Sequence, residues 1–296
     1  MKKLLSIVMS IFLLVGACFS LTACGKEELN YGKELVKLDS QLDTLIQLES
    51  GSIDMAIIDS VMAGYYATTG EFKDDIAILE MQLAVEKYGI AGRKEDKAFV
   101  SKINEALIAL SDADYLTVAA EYGLTSSLCL TPATENPLED ANDNSWKAIK
   151  TAGKIVIGYT VFAPIAYEVK NGAPTKGFDI DLAKAVVEYL NQTYSVDLDV
   201  EFQEIDWDSK EALLNNGTID LIWNGLTITE ERAQNMCISV PYLNNAQVAV
   251  ITKAQYEDLY EDATTSTNKL LTLFANATIG VEGGSAGEGV VVKAAE

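Results

Sequence analysis

Two segments far apart in this chain repeat one pattern. Leu48-Glu49-Ser50-Gly51-Ser52-Ile53-Asp54-Met55-Ala56-Ile57-Ile58-Asp59 parallels Leu214-Asn215-Asn216-Gly217-Thr218-Ile219-Asp220-Leu221-Ile222-Trp223-Asn224-Gly225. Each begins with the end of a short helical stretch (Leu42 to Leu48; Ser209 to Leu214), passes a glycine able to cap it, and continues as an apolar run of strand length. Helix, glycine turn and buried strand make half of a parallel βαβ unit. Its presence twice predicts two similar α/β lobes; chance likeness of two α/β segments is the plainer alternative. In open α/β sheets ligands lie beyond the carboxyl ends of the strands, the place Asp59 and Gly225 occupy in the two copies.

The other segments fill in around these copies. Lys154 to Tyr159 reads as a strand after a helix capped by Gly153, and Phe178 to Asn191 as a helix opened by Asp179. Met81 to Gly92 and Val240 to Ile251 look extended. Lys97 to Tyr122 reads as two amphipathic helices, with Phe99, Ile103, Ala106, Leu107 and Leu110 on one stripe. Thr131 to Ser145, rich in Pro, Asn, Asp, Glu and Thr, has no periodicity and reads as a linker.

Composition removes several functions. The chain has no histidine, which excludes His-based triads, the HExxH zinc site and any imidazole base. A net charge of −22 opposes nucleic acid or anionic lipid as partner, though not a zwitterion held in a local pocket. None of Cys18, Cys24, Cys129 and Cys237 forms a C-x-x-C pair, so no zinc site is expected, and no cofactor.

The N-terminus has secretory architecture: Lys2 and Lys3, an apolar run from Leu4 to Val15, then small residues. Leu21-Thr22-Ala23-Cys24 resembles the bacterial lipobox, which implies cleavage after residue 23 and acylation of Cys24; an uncleaved membrane span is the alternative. Two acyl chains suffice for stable anchoring. Cys18 would leave with the signal, and whether Cys129 and Cys237 pair is open.

Further along, the motifs become specific: Lys154-Ile155-Val156-Ile157-Gly158, Gly177-Phe178-Asp179-Ile180-Asp181-Leu182-Ala183, Leu226-Thr227-Ile228-Thr229-Glu230-Glu231-Arg232, Pro241-Tyr242 and Gly283-Gly284-Ser285. With these, residues 146–296 resemble the first part of the amino-acid-binding, type II periplasmic binding protein family. Residues 33–125 resemble its last part, through Gly51 to Asp59, Glu86-Lys87-Tyr88-Gly89-Ile90-Ala91 and Arg93-Lys94-Glu95-Asp96. The family's tail thus precedes its head. Circular permutation accounts for this because the two pieces complement each other; the competing reading is a fragment of a tandem array. The resemblance implies an α/β, two-lobed fold with two hinge strands. Its second lobe would comprise 33–80 and 254–296, its first 81–130 and 146–253, with 131–145 as linker and 24–32 as tether.

The resemblance also implies a site. Arg232 would hold the ligand carboxylate with its planar fork, aided by Thr227 and the backbone of Gly225 and Leu226. Without the motif, Arg232 would read as a surface residue pairing with Glu230 or Glu231. Asp59 is the candidate for the ammonium, with helix N-capping as a compatible second role. The family usually adds an acid where this chain has Tyr159 and Thr160. Phe162 and Trp207 match the aromatic faces around the side chain, or are ordinary core. Ser285 and Ala286 match a second carboxylate contact, in a Gly-rich turn that opens a helix. Glu282 matches a position that sometimes touches the ligand side chain, which would favour a polar or cationic amino acid.

The function implied is capture of an amino acid by a lipid-anchored monomer on the outer face of the cytoplasmic membrane, for delivery to an ABC permease. No enzyme is expected, since no nucleophile–base pair is evident. A ligand-sensing domain coupled to a receptor, or a non-binding fragment of a tandem protein, is the alternative.

Overall fold

The computed structural model describes residues 28–261 and 266–293. Cys24, the signal segment 1–23, residues 24–27 of the tether and Glu296 lie outside the described residues. In chain order the elements are β1 (Glu34–Leu38), α1 (Gln41–Glu49), β2 (Met55–Asp59), α2 (Ser60–Thr68), β3 (Ile76–Arg93), α3 (Lys97–Leu110), α4 (Asp114–Glu121), α5 (Ser145–Ala152), β4 (Lys154–Tyr159), β5 (Tyr167–Lys170), β6 (Ala173–Lys176) and α6 (Phe178–Tyr194). They continue with β7 (Asp199–Glu204), α7 (Lys210–Asn215), β8 (Leu221–Thr227), α8 (Glu230–Asn235), β9 (Met236–Ile238), β10 (Leu243–Thr252), α9 (Lys253–Tyr260), α10 (Ser266–Asn276), β11 (Thr278–Glu282) and α11 (Ala286–Val291).

The two repeated segments form as expected. Gly51 and Gly217 take φ of +75° and +81°, and their amides return to the carbonyls of Leu48 and Leu214. That left-handed turn ends each helix and releases a wholly buried strand, β2 or β8. Gly153 ends α5 the same way at φ +69°.

A nine-stranded sheet runs β1-β11-β2-β10-β3-β8-β4-β7, with β9 also on β3. β3 and β10 divide it into two lobes. From Ile76 to Tyr88, β3 pairs antiparallel with β10. Its C-terminal end, from Tyr88 on, pairs with β8 and β9, and Tyr88 itself faces both β10 and β8. Lobe one is therefore β7-β4-β8-β3-β9 and lobe two β1-β11-β2-β10-β3, each a sheet of mixed parallel and antiparallel strands.

The lobes differ in chain order. In lobe one the central strand β4 comes first, then the edge strand β7, then β8, all parallel. In lobe two the corresponding centre is β11, parallel to edge strand β1 and to β2, and it comes last in the chain. The segments on either side of that break meet: the Asn30 amide donates to the Val291 carbonyl at 2.7 Å and the Lys293 amide to the Glu28 carbonyl at 2.8 Å.

Helices cover both faces, and their apolar stripes make the core. α3 buries Phe99, Ile103, Ala106 and Leu107, and Phe99 stacks on Trp146 of α5 at 6.5 Å between ring centroids. The stretch before α5 forms turns rather than helix or strand, yet it is stitched down. Asp143 accepts from the Ala98 amide at 2.8 Å and the Ser145 hydroxyl from the Phe99 amide at 2.9 Å. Residues remote in sequence thereby cap α3, whose own Asp96 makes no capping bond. Cys129 and Cys237 are both free thiols.

Candidate functional site

The cleft lies between the lobes, at the carboxyl ends of the parallel strands. On lobe one, β8 ends in Asn224, Gly225 and Thr227. Gly225 has φ +66°, and a Cβ there would meet Phe162 Cε1 at 2.7 Å and the Tyr88 ring at 3.1 Å, so the backbone needs glycine on both counts. Its amide donates to Asp179 Oδ2 at 2.9 Å, and the same oxygen accepts from the Tyr242 hydroxyl at 2.8 Å. Asp179, read from sequence as a helix opener, thus fixes the strand end that carries the site. Burial pushes its carboxyl up to about 7.

Arg232 sits on α8, whose N-cap Thr229 accepts from the Arg232 amide at 3.1 Å. The guanidinium is buried and bonds to carbonyls rather than to Glu230 or Glu231. Nη1 donates to Thr227 O at 2.9 Å and Nη2 to Gly284 O at 3.0 Å, the second on the opposite lobe. Burial lowers its affinity for the proton, while Glu211, Glu86 and Asp59 work against that.

Asp59 ends β2 on lobe two and occupies the N-cap position of α2. It makes no side-chain cap, which corrects the expected second role. Its carboxylate instead accepts from amides of Gln41 and Asn245, and from Gln247 Nε2 at 2.9 Å. Gln41 Oε1 returns the bond by accepting from the Asp59 amide at 3.0 Å. Burial first, then the charge of Glu86, holds the Asp59 carboxyl well above the usual carboxylate range. Glu282, the last residue of β11, is buried as well and is pushed up to about 8 by desolvation and by Asp59. Lobe two therefore presents two buried acids that resist being charged together.

Of the residues singled out from sequence, Asp59, Phe162, Trp207, Gly225, Thr227, Arg232, Glu282, Ser285 and Ala286 all line this one cleft. Leu226 does not; its side chain is wholly buried among Ala91, Trp207, Leu214 and Ile222. Ser285 caps α11, its hydroxyl accepting from the Glu288 amide at 3.2 Å, which leaves the hydroxyl proton for another partner. Tyr159 is core, against Ala166 and Ile180, whereas Thr160 reaches the cleft with its hydroxyl 2.8 Å from the Asn224 amide.

Gln41, Val161 and Asn224 also line the cleft and were missed. Asn224 lay inside the repeated pattern beside Gly225. Gln41 lies just beyond the carboxyl end of β1, as Asp59 lies at that of β2, and recognising Glu34 to Leu38 as a strand would have exposed it.

With this geometry in view, comparison with known proteins is specific. Residues 155–280 match the model of the bacterial extracellular solute-binding proteins, family 3. Over this stretch the chain is similar to that family. The curated proteins it resembles are named as binding proteins. The probable histidine-binding protein of Neisseria gonorrhoeae is 35% identical over 94 residues, 32% of each chain. The glutamine-binding protein of Geobacillus stearothermophilus is 30% identical over 156 residues, 51% of this chain and 56% of that one. A solved ABC uptake transporter substrate-binding protein from Streptococcus pneumoniae with bound histidine is 41% identical, covering 32% of this chain and 36% of that chain, at a TM-score of 0.26. The chain thus spans about a third to a little over half the length of these curated relatives.

Proposed function

We propose that this solute-binding chain captures a free amino acid between its lobes and passes it to an ABC permease. The observation that carries the reading is the division of charge: a buried guanidinium, Arg232, on lobe one and a buried carboxyl, Asp59, on lobe two line the same cleft. A zwitterion answers both, its carboxylate at Arg232, Thr227 and Ser285 and its ammonium at Asp59. Phe162 and Trp207 supply flat apolar faces for the side chain. Because the two charged ends belong to different lobes, the ligand stabilises the closed form over the open one.

Glu282 refines the ligand class. A second buried acid close to Asp59 favours a side chain that is cationic or a strong donor, since an added cation would relieve the repulsion between the two. The names of two relatives, histidine-binding and glutamine-binding, fit a polar ligand. Titration of the purified chain with the twenty common amino acids by thermal shift tests this. A polar or basic ligand alone should raise the melting temperature, and a response confined to aliphatic amino acids would contradict the assignment.

The order of strands supports circular permutation as the way the binding unit is completed. Lobe one runs centre, edge, inner; lobe two would run the same way only if the α11 end were joined to the segment before β1. Leu29 already bridges Val292 there, and Lys293 Nζ lies 3.1 Å from Glu28 Oε2. A tandem fragment would have no reason to bring these segments together. The lipobox-like Leu21-Thr22-Ala23-Cys24 supports tethering of this unit to the outer face of the cytoplasmic membrane. Cys24→Ser should then release the protein from the membrane fraction, and membrane retention of that variant would overturn the anchor.

A further inference from the structure

We propose that Lys210 is a latch between the lobes, a positioning residue that holds the Gly284–Ala286 turn against the cleft without touching the ligand. The inference rests on the binding reading above for its purpose, and on the contacts of Lys210 for its substance.

Lys210 is the first residue of α7, on lobe one, and it is 4% exposed. Lysine at that burial is uncommon unless its ammonium is engaged. Here Nζ donates to Trp207 O at 3.0 Å within its own lobe and to Gly284 O at 3.0 Å on the other. It also stands 4.9 Å from the centre of the Trp207 ring, a cation–π distance. Among the described residues its hydrogen bonds go to these carbonyls, while the carboxylates of Glu211, Glu282 and Asp208 lie near enough to favour its charge. Lys210 is absent from the residues that line the ligand cleft, although Trp207 beneath it is among them.

Gly284 is shaped for this contact. Its φ is +66°, and a Cβ there would fall 2.8 Å from Asp208 Oδ1 and 3.3 Å from Lys210 Nζ. A side chain at this left-handed position would be strained and would have to displace the Asp208 carboxylate. The Gly284 carbonyl receives both Lys210 and Arg232, while its amide is held by Glu288 Oε2 at 2.7 Å. Ser285 and Ala286 follow directly, so their place in the cleft depends on the carbonyl that Lys210 grips. The contact exists only when the lobes are together, and the latch therefore acts on closure. Burial and the charge of Arg232 push the Lys210 ammonium down to about 8, which leaves it protonated and with all three donors at neutral pH.

The test compares the parent with Lys210→Gln and Lys210→Arg, using L-histidine, L-glutamine and L-arginine as probes. Stopped-flow Trp fluorescence gives association and dissociation rates, and small-angle scattering gives lobe separation. For the Gln variant the account expects every bound probe to leave about tenfold faster, by one common factor, with association nearly unchanged. Its scattering should show a larger radius of gyration than the parent, and the Arg variant should recover most of both. Parent-like release by Lys210→Gln, or a changed ranking of the probes, would overturn the latch; the second would make Lys210 a ligand contact. If the parent binds none of the probes, that counts against the amino-acid reading, and the ligand-free scattering then decides the latch. An expanded Gln variant supports it and superimposable profiles overturn it.

Discussion

Arg232 reaches across the cleft to the carbonyl of Gly284, 3.0 Å away, while its other terminal nitrogen holds the Thr227 carbonyl at 2.9 Å. One side chain thereby joins the end of β8 on lobe one to the β11–α11 turn on lobe two. A ligand carboxylate placed beside it would complete a fork already fixed by two backbone oxygens.

Arg232→Ala should cost about 2–5 kcal/mol of binding, mostly because the ligand carboxylate is left unpaired in a buried site. That is a loss of about 30-fold to several thousandfold in affinity. Isothermal calorimetry with whichever amino acid binds the parent checks it, and a variant within threefold of the parent would refute the assignment.

Gly225→Ala should both weaken binding and destabilise the fold. The residue would be forced to hold φ +66° with its Cβ against Phe162 and Tyr88. Strain of this kind costs about 1–3 kcal/mol. A thermal melt should drop by several degrees; an unshifted melt would show that the strand end relaxes freely.

The sequence carried much of this, for identifiable reasons. The repeated Leu48–Asp59 and Leu214–Gly225 segments were legible because glycine-capped helices and fully apolar strands leave strong local signals. Asp59 and Arg232 were legible through position and motif. Gln41 was not, because β1 is half-exposed and carries no continuous apolar run. Nor was Lys210: a lysine on a short helix reads as solvated until the opposite lobe is seen to cover it. The capping of α3 by Asp143 and Ser145 likewise depends on packing between distant segments.

The two buried acids give a pH dependence with a definite sign. A free glutamic acid titrates near 4.3, whereas Glu282 is pushed up to about 8. Between those values the folded protein keeps a proton that the unfolded chain releases, so ligand-free stability is greatest below about pH 4.3 as far as this group is concerned. It is lost progressively as pH rises through about 8. Asp59 acts in the same direction. Melting temperature followed from pH 4.5 to 9 should fall for the parent and fall less for Glu282→Gln. A flat profile would argue against two buried acids.

Binding of a basic amino acid should have the opposite pH trend. The ligand's positive groups favour the charged acids, so protons are released on binding at pH 7 and affinity rises toward pH 8. Calorimetry in buffers of different ionisation enthalpy measures the release, and Glu282→Gln should reduce it. Equal affinity of that variant for neutral and basic ligands, with the parent's preference lost, is the expected outcome only if Glu282 faces the side chain. An unaltered preference would place it elsewhere.

Reordering the chain tests the permutation. A protein running 131–293, a short glycine loop, then 28–130 should fold with a similar melt and bind the same ligand, because Lys293 and Glu28 already lie side by side. An insoluble or non-binding product would favour the tandem-fragment reading.

The central claim is that this chain binds an amino acid between Arg232 and Asp59. Its most direct test is calorimetric titration of the purified parent and of Arg232→Ala with the full set of common L-amino acids. The parent should show saturable one-to-one binding of at least one polar or basic amino acid, weakened by at least about 30-fold in Arg232→Ala. Failure of every amino acid to bind the parent, or undiminished binding by the variant, would contradict it.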